Sequence, residues 1–297
     1  MRTRFAPAPT GYLHLGHVAN ALTVWGEARA RGAAVLLRIE DHDRQRCRPE
    51  YEAALLEDLE WLGFVPDIAP PAVFRGGPTP YRQSDNGPAY LAALAQLEAA
   101  GHQVYACDCS RRRLLARGGG VEASDTEIPY DGYCRDRGLS HGPGRALRVR
   151  LPERTERFDD LRLGPQAQDP SAQCGDLVLR DRLGNWTYQF AVVVDDRDQG
   201  VDLVIRGMDL LASTGRQRAL ARLLGVTDPP RVLHHALLRK PGGAKLSKAD
   251  HDTSVRDIRA LGRTPADLFG LALHGLGMHG GCPLPLQEAL NLFSSPA

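Results

Sequence analysis

The sequence predicts an α/β fold built on a parallel sheet, and the first forty residues carry that prediction. Residues 3–6 have the pattern of a short strand, and the Pro- and Gly-rich stretch after them excludes a helix until an apolar run begins at Val18. Residues 33–40 (AAVLLRIE) form a second apolar run that ends in charge, as a buried strand does. A helix over residues 17–31 separates the two strands. They therefore form a β-α-β unit with parallel strands and a right-handed crossover.

The remaining elements follow from the spacing of apolar residues and from Gly and Pro stop signals. Helices are predicted over residues 50–62 and 85–100, with a loop over residues 66–80 between them. The run 186–196 alternates like a strand in its first half, so its period is ambiguous. The other predictions are an exposed or edge strand over 146–151, loop and short strand over 158–170, strands over 177–180, 201–206 and 232–238, a helix over 216–224 capped by Ser213 and Thr214, and a helix over 265–278.

Composition indicates an ordinary globular protein of 297 residues, with 42% hydrophobic and 25% charged residues. The net charge of +1 gives no global signal for nucleic-acid binding, although residues 111–113 (RRR) are a candidate local basic patch. No apolar run approaches the roughly 18 residues of a membrane span, and no signal-type segment follows Arg2 and Arg4. We therefore expect a cytoplasmic protein that does not enter a membrane. Six cysteines in so long a chain suggest metal binding rather than a disulfide framework.

His14 and His17 stand at the predicted start of the first helix, three residues apart and on one face. A helix N-terminus beside the carboxyl edge of a strand favours anions, because its amides and its dipole point there. Gly11 and Gly16 leave room for a phosphorylated ligand to approach the backbone. Two other interpretations stay open: the pair caps the helix, or it ligates zinc, although the H-E-x-x-H spacing of metalloproteases is absent.

Residues 4–17 (RFAPAPTGYLHLGH) resemble the HIGH motif of class I aminoacyl-tRNA synthetases, in the form used by the glutamyl branch. Residues 245–249 (KLSKA) resemble the KMSKS loop of the same family; alone, they would suggest a basic surface turn. The resemblance covers nearly the whole chain and implies a Rossmann-like catalytic core that uses ATP and Mg²⁺. The implied catalytic residues are His14, His17, Lys245 and Lys248, and the implied ATP-binding residues are His14, Gly16, His17 and Lys248.

Three further segments resemble the glutamate-binding motifs of that branch. Residues 40–43 (EDHD) resemble the segment R-x-E-D-x-D, residues 188–196 (YQFAVVVDD) follow Y-x-x-A-x-x-x-D-D with a helix start near Tyr188, and residues 206–214 follow R-G-x-D-L-L-x-S-T. On chemical grounds, Arg206 at a strand's carboxyl end could hold a carboxylate through two hydrogen bonds, although such arginines are often surface residues. The resemblance implies that glutamate is bound by Arg4, Phe5, Ala6, Pro7, Ala8, Glu40, Tyr188 and Arg206.

Three cysteines form a candidate metal site. Cys107, Cys109 and Cys134 supply three soft ligands, and structural zinc is held by four in a tetrahedron. From the residues alone the fourth ligand stays open among Tyr130, Asp131, His141 and Cys174, and incidental buried cysteines remain the alternative. The pattern Cys-x-Cys followed by Tyr-x-x-x-Cys resembles the glutamyl-queuosine branch of the family. That resemblance implies that Tyr130 is the fourth ligand of a structural Zn²⁺.

The predicted domains are a Rossmann-like catalytic domain in two halves (1–100 and 140–240), an inserted zinc-binding, acceptor-like subdomain (101–139), and the KLSK loop with a short helical segment (241–297). Only 48 residues follow Ala249, so no anticodon-binding domain is expected.

Together with the cysteine pattern, this organisation implies the activity of the glutamyl-queuosine branch. The resemblance implies that L-glutamate is activated to glutamyl-adenylate and transferred to the queuosine in the anticodon of tRNA(Asp), and we expect the protein to be a monomer. The alternatives are a minimal glutamyl-tRNA synthetase that charges a tRNA 3′ end, a non-catalytic RNA-binding paralogue, and an ATP-dependent amino-acid ligase that does not use RNA.

Overall fold

The computed structural model of the chain describes residues 1–117, 129–238 and 254–294. The chain divides into two units, the first formed by Met1–Asp85, Gly200–Leu211 and Pro230–Ala297, the second by Asn86–Gln199 and Ala212–Pro229. These boundaries differ from those of the predicted domains, and the domain organisation stays a prediction. Within the described ranges, no helix combines the length and the apolar character that crossing a membrane requires.

The strands and helices follow a fixed order along the chain. They are β1 Arg2–Phe5, α1 Leu15–Ala30, β2 Ala34–Leu37, α2 Pro49–Leu62, α3 Pro71–Arg75, α4 Gly87–Ala99, β3 Val104–Cys107, α5 Arg111–Arg117, β4 Ala146–Val149, β5 Glu156–Asp160, β6 Gly164–Gln168, α6 Pro170–Cys174, β7 Leu177–Arg180, α7 Tyr188–Asp198, β8 Leu203–Gly207, α8 Thr214–Leu223, β9 Arg231–His235, α9 Val255–Ala260, α10 Pro265–Gly275 and α11 Leu286–Asn291. Two 3₁₀ segments, Gln83–Asp85 and Met208–Ser213, complete the order.

A parallel sheet is the centre of the first unit. Strands β1 and β2 are parallel, with Arg2 opposite Ala34, which confirms the predicted β-α-β unit. Strands β8 and β9 form a second parallel pair, and β8 runs beside β1, where the amide of Asp202 donates to the carbonyl of Arg2 at 3.1 Å. The carboxyl ends of the four strands therefore meet at one edge, where ligands bind in sheets of this kind.

Helices α1, α10 and α11 bury the core of the first unit. The rings of Phe64 and Phe269 meet edge to face with their centroids 5.7 Å apart. At Gly26 of α1, an added Cβ would lie 2.2 Å from Cδ2 of Phe293, just after α11, so the close approach of these two segments requires glycine. The C-terminal region, which the sequence left without a prediction beyond residue 278, thus helps to close this core.

The second unit is built on the antiparallel sheet β3-β4-β7 and on helices α4, α7 and α8. All four residues of β4 are buried, and the strand is central, so the prediction of an exposed or edge strand over residues 146–151 is wrong. The basic residue that suggested exposure, Arg148, has its main partners inside the unit. Its guanidinium stacks 3.8 Å above the Tyr130 ring and donates to the carbonyl of Asp176 at 2.7 Å.

The structure also decides three other predictions about secondary structure. The ambiguous run is helical, because α7 begins at Tyr188. The loop predicted over residues 66–80 contains the short helix α3, so that prediction is partly wrong. Ser213 is the N-cap residue of α8, as predicted, but it makes no side-chain cap bond, and its hydroxyl instead accepts from the Gln189 amide at 2.9 Å.

Candidate active site and metal centre

The two histidines of the first motif cap helix α1. The amide of Gly16 donates to Nδ1 of His14 at 3.1 Å, and the amide of His14 donates to Nδ1 of His17 at 3.1 Å. The two rings lie with their centroids 4.0 Å apart. The capping interpretation is therefore confirmed, and the two bonds satisfy amides that the helix itself leaves without a partner.

Capping also determines which ring atom carries the proton. Because Nδ1 accepts an N–H in both rings, the neutral imidazole has its proton on Nε2, so Nε2 is the donor atom in each ring. Both donors stand at the positive end of the α1 dipole, where they suit phosphate oxygens. Gly16 is needed for this arrangement, since an added Cβ would lie 2.8 Å from Cε1 of His14.

The chain returns to His14 just after the second motif. Ser254 pairs with His14 in an isolated bridge, and the amide of Val255 donates to the carbonyl of Leu13 at 2.8 Å. Lys245 and Lys248 lie outside the described residues, and their predicted roles stay predictions. Ser254 stands six residues after Lys248 in the sequence, so the downstream flank of the lysine motif is fixed beside the histidine cap.

Buried charged side chains gather at the carboxyl edge of the parallel sheet. Arg4 donates from Nη1 to the carbonyl of Ile205 at 3.2 Å, which places its guanidinium beside β8. Glu40, just beyond β2, forms an ion pair with the fully buried Arg38 at 2.9 Å. Arg206 on β8 is likewise buried. A buried set that contains three guanidiniums favours anionic ligands, because an unbalanced buried charge is costly.

Residues 5–8 alternate between buried and half-buried positions. Phe5 and Pro7 are buried, and the Phe5 ring packs against Trp25 with their centroids 5.3 Å apart. Ala6 and Ala8 are half-buried on the alternate positions. A glutamate contact from Phe5 would thus come from its backbone rather than its ring.

Sequence reasoning missed two buried residues of this edge, Arg38 and His234. Arg38 stands two residues before Glu40 in an apolar strand, and the R-x-E spacing was the only available signal for it. His234 accepts a hydrogen bond at Nε2 from Nε of Arg206, at 3.1 Å. No local pattern marks His234, because its partner is 28 residues away and is brought to it by strand register.

The remaining motif residues lie in the second unit. Tyr188 is the first residue of α7 and is half-buried. Asp195, in the D-D end of the same motif, accepts hydrogen bonds from the Tyr90 hydroxyl at 3.0 Å and from the Asn86 amide at 2.9 Å. Asp195 therefore links α7 to the start of α4 through hydrogen bonds. This role is structural.

The three predicted cysteines come together in the second unit. The sulfur atoms of Cys107, Cys109 and Cys134 all lie within 4.8 Å of one another, and those of Cys109 and Cys134 are 3.5 Å apart. A tetrahedral zinc site with Zn–S bonds of about 2.3 Å spaces its sulfurs by about 3.8 Å. The cluster therefore fits a zinc ion.

Of the four candidates for the remaining ligand, Tyr130 lies at the cluster. Its hydroxyl is 3.5 Å from Sγ of Cys107 and accepts from the Cys134 amide at 2.7 Å. Asp131 is paired with Arg117, and the Cys174 thiol donates to the Pro170 carbonyl at 3.1 Å. His141 is exposed and is not grouped with the cysteines in the described part of the chain.

Arginines compensate the negative charge that three thiolates would bring. Arg117 donates to Sγ of Cys109 at 3.2 Å, and Arg137 donates to Sγ of Cys134 at 3.4 Å. Burial raises the pKa of Cys109 to about 11, although Arg117 opposes the effect. Burial also acts to raise the pKa of Cys107, but hydrogen bonds, first among them that of Tyr130, bring this pKa below its usual value.

Comparison with known proteins identifies relatives along nearly the whole chain. A family model described as the catalytic domain of class I tRNA synthetases (E and Q) matches residues 1–288. A glutamyl-Q tRNA(Asp) synthetase from Geobacter sulfurreducens is 44% identical over 277 residues, which are 92% of this chain and 83% of that protein. Another, from Bordetella bronchiseptica, is 46% identical over 248 residues, which are 82% of this chain and 74% of that protein.

A solved structure shows the same fold. The glutamate-tRNA synthetase of Elizabethkingia anophelis aligns with 99% of this chain at a TM-score of 0.79 and 28% sequence identity. The present chain spans 66% of the length of that protein, slightly less than two thirds.

Proposed function

The chain belongs to the class I tRNA synthetases for glutamate and glutamine and, within them, to the glutamyl-Q tRNA(Asp) synthetases, and from this premise we propose its reaction. It activates L-glutamate with ATP to glutamyl-adenylate and transfers the glutamyl group to the queuosine in the anticodon of tRNA(Asp). The observation that carries the proposal is the histidine cap of α1, which presents two Nε2 donors in the unit that also holds Arg4, Glu40 and Arg206.

Activation needs positioning and charge stabilisation rather than a covalent enzyme intermediate. A carboxylate oxygen of glutamate attacks the α-phosphorus of ATP, an O–P bond forms, and the bond to the β-phosphate breaks with release of pyrophosphate. His14 and His17 donate from Nε2 to phosphate oxygens as negative charge shifts to the leaving group. Gly16 lets the phosphates approach the helix start, and Lys245 and Lys248 add cationic charge. A bound Mg²⁺ would neutralise phosphate oxygens.

Glutamate carries two carboxylates and one ammonium group, so its site needs cations and an acceptor. Arg4 and Arg206 supply guanidiniums, and Glu40 supplies the carboxylate for the ammonium. Arg38 holds the Glu40 side chain in place through their ion pair at 2.9 Å. The backbone of residues 5–8 adds polar groups to this set, and the proposed role of Tyr188, on α7, rests on its motif alone.

The proposed zinc site has a structural function. Cys107, Cys109, Cys134 and Tyr130 would hold the ion, which would cross-link the end of β3 and the residues just after it to the segment that precedes β4. Zinc binding of this kind contributes to folding rather than to the chemical step. We also propose that the protein acts in the cytoplasm, where its tRNA substrate is found. We propose that it does so as a monomer.

Glutamate-dependent ATP–pyrophosphate exchange by the purified protein without RNA tests the activation step, with aspartate and glutamine as controls. Exchange with glutamate alone is expected. No exchange, with or without tRNA, would refute an adenylate-forming site and leave a non-catalytic RNA-binding protein as the better explanation.

The acceptor is tested separately, because the similarity to a glutamate-tRNA synthetase structure favours 3′-end charging as a second candidate. Radiolabelled glutamate is offered with tRNA(Asp) that carries queuosine, with tRNA(Asp) that lacks it, and with glutamate tRNA. The labelled RNA is then digested to nucleosides. Label on queuosine alone is expected, and label on the 3′-terminal adenosine would establish the second candidate instead.

A further inference from the structure

The buried contact between Arg206 and His234 links two parallel strands at the carboxyl edge of the first unit. The two residues are register partners on β8 and β9. Nε of Arg206 donates to Nε2 of His234 at 3.1 Å, and the two residues are only 5% and 0% exposed. A hydrogen bond in such a dry environment holds its partners firmly, because breaking it leaves a buried polar group without a partner.

The chemistry of the pair allows one arrangement of protons. A guanidinium has donors and no acceptor, so the Nε2 atom of His234 must be unprotonated and its ring proton must lie on Nδ1. Because Nε of Arg206 already donates to His234, it is not available for a side-on pair with a carboxylate, in which Nε and one terminal nitrogen would donate together. A carboxylate can be held in bidentate fashion only by the two terminal nitrogens.

The adjacent residue, His235, provides a natural comparison. Successive side chains of a strand point to opposite faces of the sheet. His235 places Nδ1 2.8 Å from the Ala236 carbonyl and Nε2 2.9 Å from Oδ1 of Asn20 on α1. It is also buried. Both of its ring nitrogens are therefore engaged, one with helix α1 and the other with the backbone of the next residue.

We propose that His234 is a positioning residue that orients Arg206 end-on toward a carboxylate of bound glutamate. The inference rests on the proposed role of Arg206 in glutamate binding. Long side chains lose considerable rotamer freedom when they are fixed, and His234 imposes that cost in the folded protein rather than at the moment of binding. Loss of the Nε2 acceptor should therefore weaken glutamate binding without changing the affinity for ATP.

Two amide substitutions at His234 test whether a hydrogen-bond acceptor at the place of Nε2 is what matters, since both introduce a polar amide side chain. In His234→Gln the amide oxygen can reach the place of Nε2, whereas in His234→Asn it reaches only the place of Nδ1. The two variants carry the same amide group and differ by one methylene, which sets how far the amide oxygen reaches. His235→Asn makes the same change in the neighbouring residue, whose side chain points to the other face.

The experiment measures KM for glutamate, KM for ATP and kcat in ATP–pyrophosphate exchange, together with the melting temperature of each variant. We expect His234→Asn to raise the KM for glutamate about tenfold, and His234→Gln to stay within about threefold of the original protein. The KM for ATP should change in neither. His235→Asn should lower the melting temperature without a selective change in the KM for glutamate.

A double-mutant cycle with Arg206→Lys, which replaces the whole guanidinium and with it the Nε donor, tests whether the effect passes through Arg206. The combined variant Arg206→Lys/His234→Asn should be no worse than Arg206→Lys alone, because the same interaction is already lost. Equal KM values in His234→Asn and His234→Gln, or simple additivity in the cycle, would overturn the inference.

The possible failures are distinguishable. If the original protein shows no exchange, the proposed function fails. If exchange occurs but Arg206→Lys leaves the KM for glutamate unchanged, the assignment of Arg206 fails, and the inference fails with it. If Arg206→Lys raises that KM and the two His234 variants behave alike, only the positioning role of His234 is refuted.

Discussion

Replacement of Asp58 by asparagine is expected to stabilise the protein at neutral pH. Asp58 lies in α2, is only 1% exposed, and has an Oδ2 atom with no hydrogen-bond partner among the residues that the structure describes. Burial raises the pKa of its carboxyl from 3.8 to about 6, and the charges of Arg256 and Arg259 in α9 oppose this shift without cancelling it. The ionised carboxylate is thus held at a cost in the folded protein.

The size and the sign of the effect follow from the two pKa values. The folded state retains the proton of Asp58 more tightly than the unfolded state, so the stability of the protein falls as the pH rises from about 3.8 to about 6. The difference corresponds to about 3 kcal/mol once the pH exceeds both values. The asparagine side chain does not titrate, so Asp58→Asn should gain up to about 3 kcal/mol at pH 8 and progressively less toward pH 4.

Urea unfolding of both proteins between pH 5 and pH 8 measures this difference, provided that the slope with denaturant is unchanged. Glu57→Gln serves as the control, because Glu57 is exposed on the same helix and its replacement removes the same charge. A Glu57→Gln difference near zero is expected. If Asp58→Asn instead destabilised the protein at pH 8, attraction by Arg256 and Arg259 would outweigh burial, and the reasoning would be refuted.

Three further predictions concern the site and its support. Cys134→Ser should lose bound zinc, as measured by elemental analysis, while the exposed Cys282→Ser retains it; equal zinc content in both variants would contradict the site. Tyr90→Phe should lower the free energy of unfolding by about 1–3 kcal/mol, because the buried Asp195 carboxylate loses a donor; an unchanged urea midpoint would argue against that bond. His17→Asn retains a cap acceptor but loses the Nε2 donor, so exchange should fall about 100-fold at an unchanged melting temperature; loss of both together would indicate a cap alone.

The periodicity of apolar residues was sufficient to predict those helices and strands whose formation depends on a local sequence pattern. The β-α-β unit and helix α2 were predicted correctly, because buried strands and amphipathic helices repeat with distinct periods. Strand β4 was mispredicted because its basic residue, Arg148, suggested exposure. The Tyr130 ring and the Asp176 carbonyl, which contact the Arg148 guanidinium, are distant in sequence, and no local pattern reports them.

The site was predictable in its residue types and not in its interactions. Family motifs singled out His14, His17 and Arg206, but neither the Nδ1 acceptors of the cap nor the bond to His234 can be seen in a motif. Both depend on which atom of a side chain faces which neighbour. That choice is made by helix geometry in the first case and by strand register in the second.

The same hydrogen bonds that stabilise the fold also prepare the chemistry. The cap of α1 occupies Nδ1 of His14 and His17 and so fixes the proton on Nε2, while the bond to His234 occupies Nε of Arg206, so that in the proposed site a carboxylate would meet the terminal nitrogens. Each group is thereby oriented before a ligand arrives, which lowers the cost of ordering during binding and reaction. It follows that substitutions at these positions should be classified by the atom they remove. Loss of the structural atom should lower stability and activity together, and loss of the outward atom should lower activity alone.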